Sequence, residues 1–117
     1  MRNFNLSEFD SPDLSGSGVK MDKEFLEMLD NARDIAGVPF KITSGYRTRA
    51  HNQVVGGVEG SSHCLGIACD IACSSSAHRF AIITSLLEAG FTRIGVASNF
   101  IHVDYDHNKV GQVIWTY

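Results

Sequence analysis

Asp70 stands in the middle of an apolar run, Gly66 to Ala72, whose small and β-branched residues read as a buried strand. Bracketed by Cys69 and Ile71, its carboxylate carries a desolvation penalty of several kcal/mol unless a cation meets it. Any fold that buries this strand must therefore bring a positive partner to it. Arg47, in a buried salt bridge, is one such partner and a metal ion is another, and the run alone does not choose between them.

Just upstream lies His63, in Ser61-Ser62-His63-Cys64-Leu65-Gly66. If the chain turns at Gly66 and then runs extended, Asp70 folds back under His63, and zinc accepts both ligand types at about 2.0–2.2 Å. Taken alone, His63 is as readily an ordinary, satisfied histidine. A second constellation is Phe100-Ile101-His102-Val103-Asp104. Residues two apart on a strand share a face, so His102 and Asp104 project together while Ile101 and Val103 face the core. This is either a surface pair or part of a site with three protein ligands and a position left for water. A third is Ser44-Gly45-Tyr46-Arg47-Thr48, at the end of an expected strand. A guanidinium there suits a bidentate contact with a carboxylate, or an oxyanion, unless it is simply a surface cation. His51, His78 and His107 have no comparable setting and read as bystanders.

Composition narrows the classes of partner. A formal charge of −3 leaves no basic excess to neutralise a phosphate backbone, so no nucleic acid is expected. No apolar run approaches the roughly 20 residues needed to span a bilayer, so no membrane partner is expected. The opening MRNFNLSEFD lacks the apolar region of a signal peptide. Cys64, Cys69 and Cys73 are odd in number and lack CxxC spacing, which argues against a disulfide framework and a thiolate zinc site. Buried or half-buried thiols are expected, with Cys64, next to His63, the one exposed to oxidation.

At 117 residues the chain is expected to form a single domain, 1–117. Residues 1–20 read as an irregular arm anchored by Phe4, Leu6, Phe9 and Leu14. From Asp22 to Ala36, Phe25, Leu26, Met28, Leu29, Ala32 and Ile35 recur at helical spacing, with Asp22 as N-cap and Gly37 beyond the end. Strands are expected over 40–43, 66–72, 92–97, 100–105 and 113–117. A short helix is expected within 47–55, with a loop following it. A second long helix, 76–89, is expected to bury Phe80, Ile83, Leu86 and Leu87. The order implies an α+β domain with helices packed on one face of a small antiparallel sheet.

Together SGYRT, SSHCLGIACD and FIHVD resemble, in content and order, the zinc D-Ala-D-Ala carboxypeptidase family. Its members include vancomycin-resistance D,D-dipeptidases, phage L-alanyl-D-glutamate endopeptidases and the hedgehog domain; HNQVVGG resembles the short phage and bacterial branch. The resemblance implies one Zn2+ held by His63, Asp70 and His102. It makes Arg47 a substrate or transition-state contact and Ser61 a substrate-binding or ligand-supporting hydroxyl. Many relatives carry an acid three residues before the final histidine, or a histidine two before it. Asn99 and Phe100 stand there and neither serves as a base. Asp104 is therefore expected to be the general base, with a ligand-orienting carboxylate as the alternative.

The function implied is zinc-dependent hydrolysis of peptidoglycan stem peptides, of D,D-carboxypeptidase or endopeptidase type. The alternative is a zinc-containing binding module of the same fold without turnover. The expected partner is peptidoglycan peptide, and the chain is expected to be a monomer. With no signal peptide, it is expected to be made in the cytoplasm and to act on the cell wall, in keeping with a virus-encoded lysis enzyme.

Overall fold

The computed structural model describes all residues, Met1 to Tyr117. Helix α1 spans Lys23–Ala36. The Asp22 side chain accepts from the Phe25 amide at 2.9 Å, and Gly37 adopts φ 67°, the left-handed turn that ends a helix at little steric cost. Its inward face carries Phe25, Leu26, Leu29 and Ala32. Met28 packs at the margin of the core, whereas Ile35 is exposed. Helix α2 is short, Arg49–Val54, and begins where Thr48 Oγ1 accepts from the His51 amide.

Helix α3 spans Ser76–Glu88, capped by Ser75. Its expected apolar stripe needs correction. Ile82, Ser85 and Leu86 are buried, while Phe80 is 72% exposed and Leu87 45%. The helix is turned so that this narrower stripe faces α1. Ser85 can sit there because its hydroxyl donates to the Ile82 carbonyl at 2.8 Å and leaves no polar atom unpaired.

Five strands form one sheet: β1 Ile42–Ser44, β2 Ala68–Ala72, β3 Arg93–Val96, β4 Phe100–Asp104 and β5 Val113–Thr116. Their spatial order is β1-β2-β4-β3-β5. The expected antiparallel sheet is in fact mixed, because β5 pairs with β3 in parallel. Both edges of β4 are already taken, by β2 and β3. Of the two edges left open, those of β1 and β3, the chain takes that of β3, and having reversed after β4 it runs there in the same direction as β3.

Alternation decides the two faces. Cys69, Ile71, Ile94, Ile101 and Val103 point to the helices and are buried with Phe25, Leu29 and Phe91. Asp70, His102, Asp104 and Gly95 point the other way. The arm contributes to the core through Phe4 and Phe9, whose rings meet edge to face at 5.6 Å. Leu6 and Leu14, the other two expected anchors, are exposed. The arm is also held by Asp30, which accepts from the Arg2 and Asn3 amides at 3.0 Å each. No helix is long and apolar enough to cross a membrane.

Candidate metal centre

A single row of paired residues crosses the open face of the sheet. Ser44 opposes Asp70, Asp70 opposes His102, His102 opposes Gly95, and Gly95 opposes Trp115. Strand register alone thus puts a carboxylate and an imidazole side by side from segments 32 positions apart.

His63 reaches the same place from a 3-10 turn, Ser62–Leu65. Ser61 Oγ caps that turn by accepting the His63 amide at 3.2 Å. Gly66 ends it at φ 72°, and a Cβ on Gly66 would lie 2.3 Å from the Lys20 carbonyl oxygen. Only glycine lets the turn close against the arm in this way. His63 is 4% exposed.

The ligand atoms of His63, Asp70 and His102 all lie within 4.8 Å of one another. His102 Nδ1 is 2.9 Å from Asp70 Oδ1, and His63 Nε2 is 3.4 Å from the same oxygen. Each ring's other nitrogen is occupied from outside. His63 Nδ1 is 2.8 Å from the Gly45 carbonyl, which only accepts, so that nitrogen carries the proton and Nε2 presents a lone pair. His102 Nε2 is 2.8 Å from Asp104 Oδ2. Two imidazoles and one carboxylate, with outward N–H groups anchored to acceptors, form the donor set of a divalent transition-metal site with room for water. The residues fit such an ion.

Burial would raise the Asp70 carboxyl, but hydrogen bonds and charge from His102 and His63 outweigh it and hold the group well below the usual range. Burial would lower His102, yet its contacts with Asp104 and Asp70 raise it. Asp104 is likewise held down, against its burial, by His102 and Arg93.

Arg47 lies at the rim with Nη2 3.6 Å from Asp70 Oδ2. Its Nε donates to Ser44 Oγ at 3.2 Å and its Nη1 to Asn52 Oδ1 at 3.3 Å. A Cβ on Gly57 would fall 2.0 Å from Asn52 Oδ1, so a glycine there lets the loop close over this pair. Both cations weighed for Asp70, the guanidinium and a metal, thus have a place beside it. Ser61 lines the cleft with Arg47.

The base role expected of Asp104 does not suit its surroundings. The residue is 2% exposed, Oδ1 accepts from Arg93 Nε at 2.7 Å and from the Asp106 amide at 3.2 Å, and Oδ2 faces His102. Both oxygens are thus engaged by protein groups, at a buried position. The Asn99 carbonyl accepts from the Cys73 amide, and Phe100 packs on Tyr117. His51, His78 and His107 lie outside the cluster. All three cysteines are unpaired; Cys69 and Cys73 are buried, Cys64 half-buried.

A family model described as Peptidase M15 matches residues 3–104. The chain belongs to the Peptidase M15 family. No curated protein shows a significant match to it. Peptidases of the M15 family are zinc-dependent, and the His-Asp-His cluster is the group in this M15 domain that can hold such an ion. The matched stretch ends at Asp104, the last residue of FIHVD, so Lys109, Trp115 and Tyr117 border the M15 cleft from outside it.

Sequence reasoning missed Arg93, Asn52 and Trp115. Asn52 had a signal in its place on a short helix five residues after Arg47. Arg93 and Trp115 had none, because their pairing with Asp104 and His102 arises only when β3 and β5 enter the sheet.

Proposed function

We propose that this domain is a zinc peptidase that hydrolyses peptide bonds in the stem peptides of bacterial peptidoglycan, as a D,D-carboxypeptidase or an endopeptidase. The observation that carries the reading is the orientation of the imidazoles. His63 and His102 each turn one nitrogen to Asp70 while an outer acceptor holds the other.

His63, Asp70 and His102 are the side chains that would hold the zinc. A zinc held there would supply an activated water at neutral pH and a Lewis acid for the scissile carbonyl. Arg47, fixed by Ser44 and Asn52, presents Nη2 to a substrate carboxylate or to the negative charge that develops on the carbonyl oxygen. Ser61 keeps the His63 turn in shape and offers its hydroxyl at the cleft wall. Asp104 keeps the His102 proton on Nε2, a positioning role in place of that of base.

A second reading, a zinc-containing binding module without turnover, is favoured by one observation. Asn99, Phe100 and the buried Asp104, engaged by Arg93 and His102, leave no free carboxylate where a base is expected. Digestion of defined muropeptides with and without chelator, read by mass, decides between them. New amine termini that disappear on chelation support the peptidase. Full zinc occupancy with no new product mass on any muropeptide supports the module and overturns the peptidase.

A further inference from the structure

Behind Asp104 lies Arg93, on β3, and its surroundings are more specific than charge neutralisation requires. Nε donates to Asp104 Oδ1 at 2.7 Å and Nη1 donates to the Val110 carbonyl. The guanidinium lies over the Trp115 ring, 4.9 Å from its centroid. The same indole packs against His102, ring centroids 5.6 Å apart. Room for it exists because residue 95 is glycine: a Cβ there would lie 2.7 Å from Trp115 Nε1. Arg93 is thus fixed on three sides, by β4, by β5 and by the connector between them, and its side chain is 14% exposed.

The consequence reaches His102. Arg93 Nε and His102 Nε2 meet the two oxygens of one carboxylate, at 2.7 Å from Asp104 Oδ1 and 2.8 Å from Oδ2, so the contact with Arg93 fixes how Asp104 faces the ring. Lys109 is spoken for elsewhere, by Ser62 at 3.0 Å and Asp106 at 3.6 Å. Arg93 is the guanidinium in contact with Asp104, on the oxygen that does not face His102.

We propose that Arg93 is a positioning residue for the metal centre: clamped by Trp115 and the Val110 carbonyl, it holds Asp104 so that His102 keeps its proton on Nε2 and offers Nδ1 to the ion. The inference rests on the zinc reading above. It makes the segment after residue 104, beyond the family match, a working part of the site. A lysine does not replace the guanidinium, since a point charge neither stacks on the indole nor reaches Asp104 and Val110 together.

The test compares wild type, Arg93→Gln and Arg93→Lys for zinc affinity by chelator competition, and for the visible spectrum of the cobalt-loaded protein. Melting temperatures of the metal-free chains serve as the control for folding. Arg93→Gln is expected to weaken zinc about 10- to 100-fold, the usual effect of losing an outer partner of a metal-bound histidine. Its cobalt spectrum should shift, and Arg93→Lys should fall between. Zinc affinity of Arg93→Gln within about twofold of wild type, with an unchanged cobalt spectrum, overturns the inference. Should Arg93→Gln not fold, Arg93→Lys and the ring-nitrogen NMR of wild-type zinc protein decide. A proton on His102 Nε2, with weakened zinc in Arg93→Lys, supports the role; a proton on Nδ1, or unweakened zinc in Arg93→Lys, overturns it. A wild-type chain that takes up no zinc is a different failure, which removes the metal reading and this inference with it.

Discussion

His102 Nε2 lies 2.8 Å from Asp104 Oδ2, on the edge of the ring opposite the one that meets Asp70. The distance separates two roles for Asp104 that share one sequence position. A carboxylate bound to the outer edge of a ligand orients that ligand; a base must face the water.

Asp104→Asn is therefore expected to weaken zinc binding by about 10- to 100-fold. Turnover at saturating zinc should be retained to within about tenfold. A base would behave otherwise, with zinc affinity kept and kcat reduced by about 10²–10⁴. Zinc titration of the variant, followed by kcat at full occupancy, distinguishes the two.

His63→Ala and Asp70→Asn each remove a ligand from the only three-residue cluster of metal-binding side chains. Both should lose stoichiometric zinc, measured by elemental analysis after dialysis. In wild type, zinc at about 100 times its Kd should add about 2.7 kcal/mol to stability, seen as a rise in Tm that chelator reverses. Neither variant should show that rise.

Arg47→Ala should leave zinc content unchanged while lowering kcat/KM by about 10²–10³, if its guanidinium meets charge developing at the reacting carbonyl. A fall in zinc content as large as that of the ligand variants would instead mark Arg47 as a structural partner of Asp70.

Gly45 supplies the carbonyl that holds His63 Nδ1, and a Cβ there would lie 2.6 Å from Phe9 Cα. Gly45→Ala should force the arm and the SGYRT segment apart, at a cost of about 1–3 kcal/mol. Denaturant unfolding measures that cost, and reduced zinc affinity should accompany it.

Asp30 joins the arm to α1 away from the metal. Burial would raise its carboxyl, but the Arg2 and Asn3 amides, the Asn3 side chain and the Arg2 charge outweigh that and hold it below 3.8. A lowered folded value means that its contribution is fully present above 3.8 and is lost as pH falls through the folded value. Asp30→Ala should cost about 1–3 kcal/mol near neutrality. The difference from wild type should close in strong acid, as denaturant titrations at several pH values would record.

The sequence by itself determined the two long helices and the caps of the first, because Asp22 and Gly37 act on neighbours only a few residues away. The resemblance of SGYRT, SSHCLGIACD and FIHVD to a known family implied that His63, Asp70 and His102 belong together, and the fold brings their ligand atoms within 4.8 Å of one another. Only the tertiary structure decided which face of α3 is buried, since Phe80 and Ile82 are equally apolar and the choice depends on how closely α1 can approach. It alone placed β5 beside β3, because that depends on which sheet edges are still open. It alone set Asp104 between His102 and Arg93. The partners of a buried charge are chosen by contacts between distant segments, and local patterning carries no record of them.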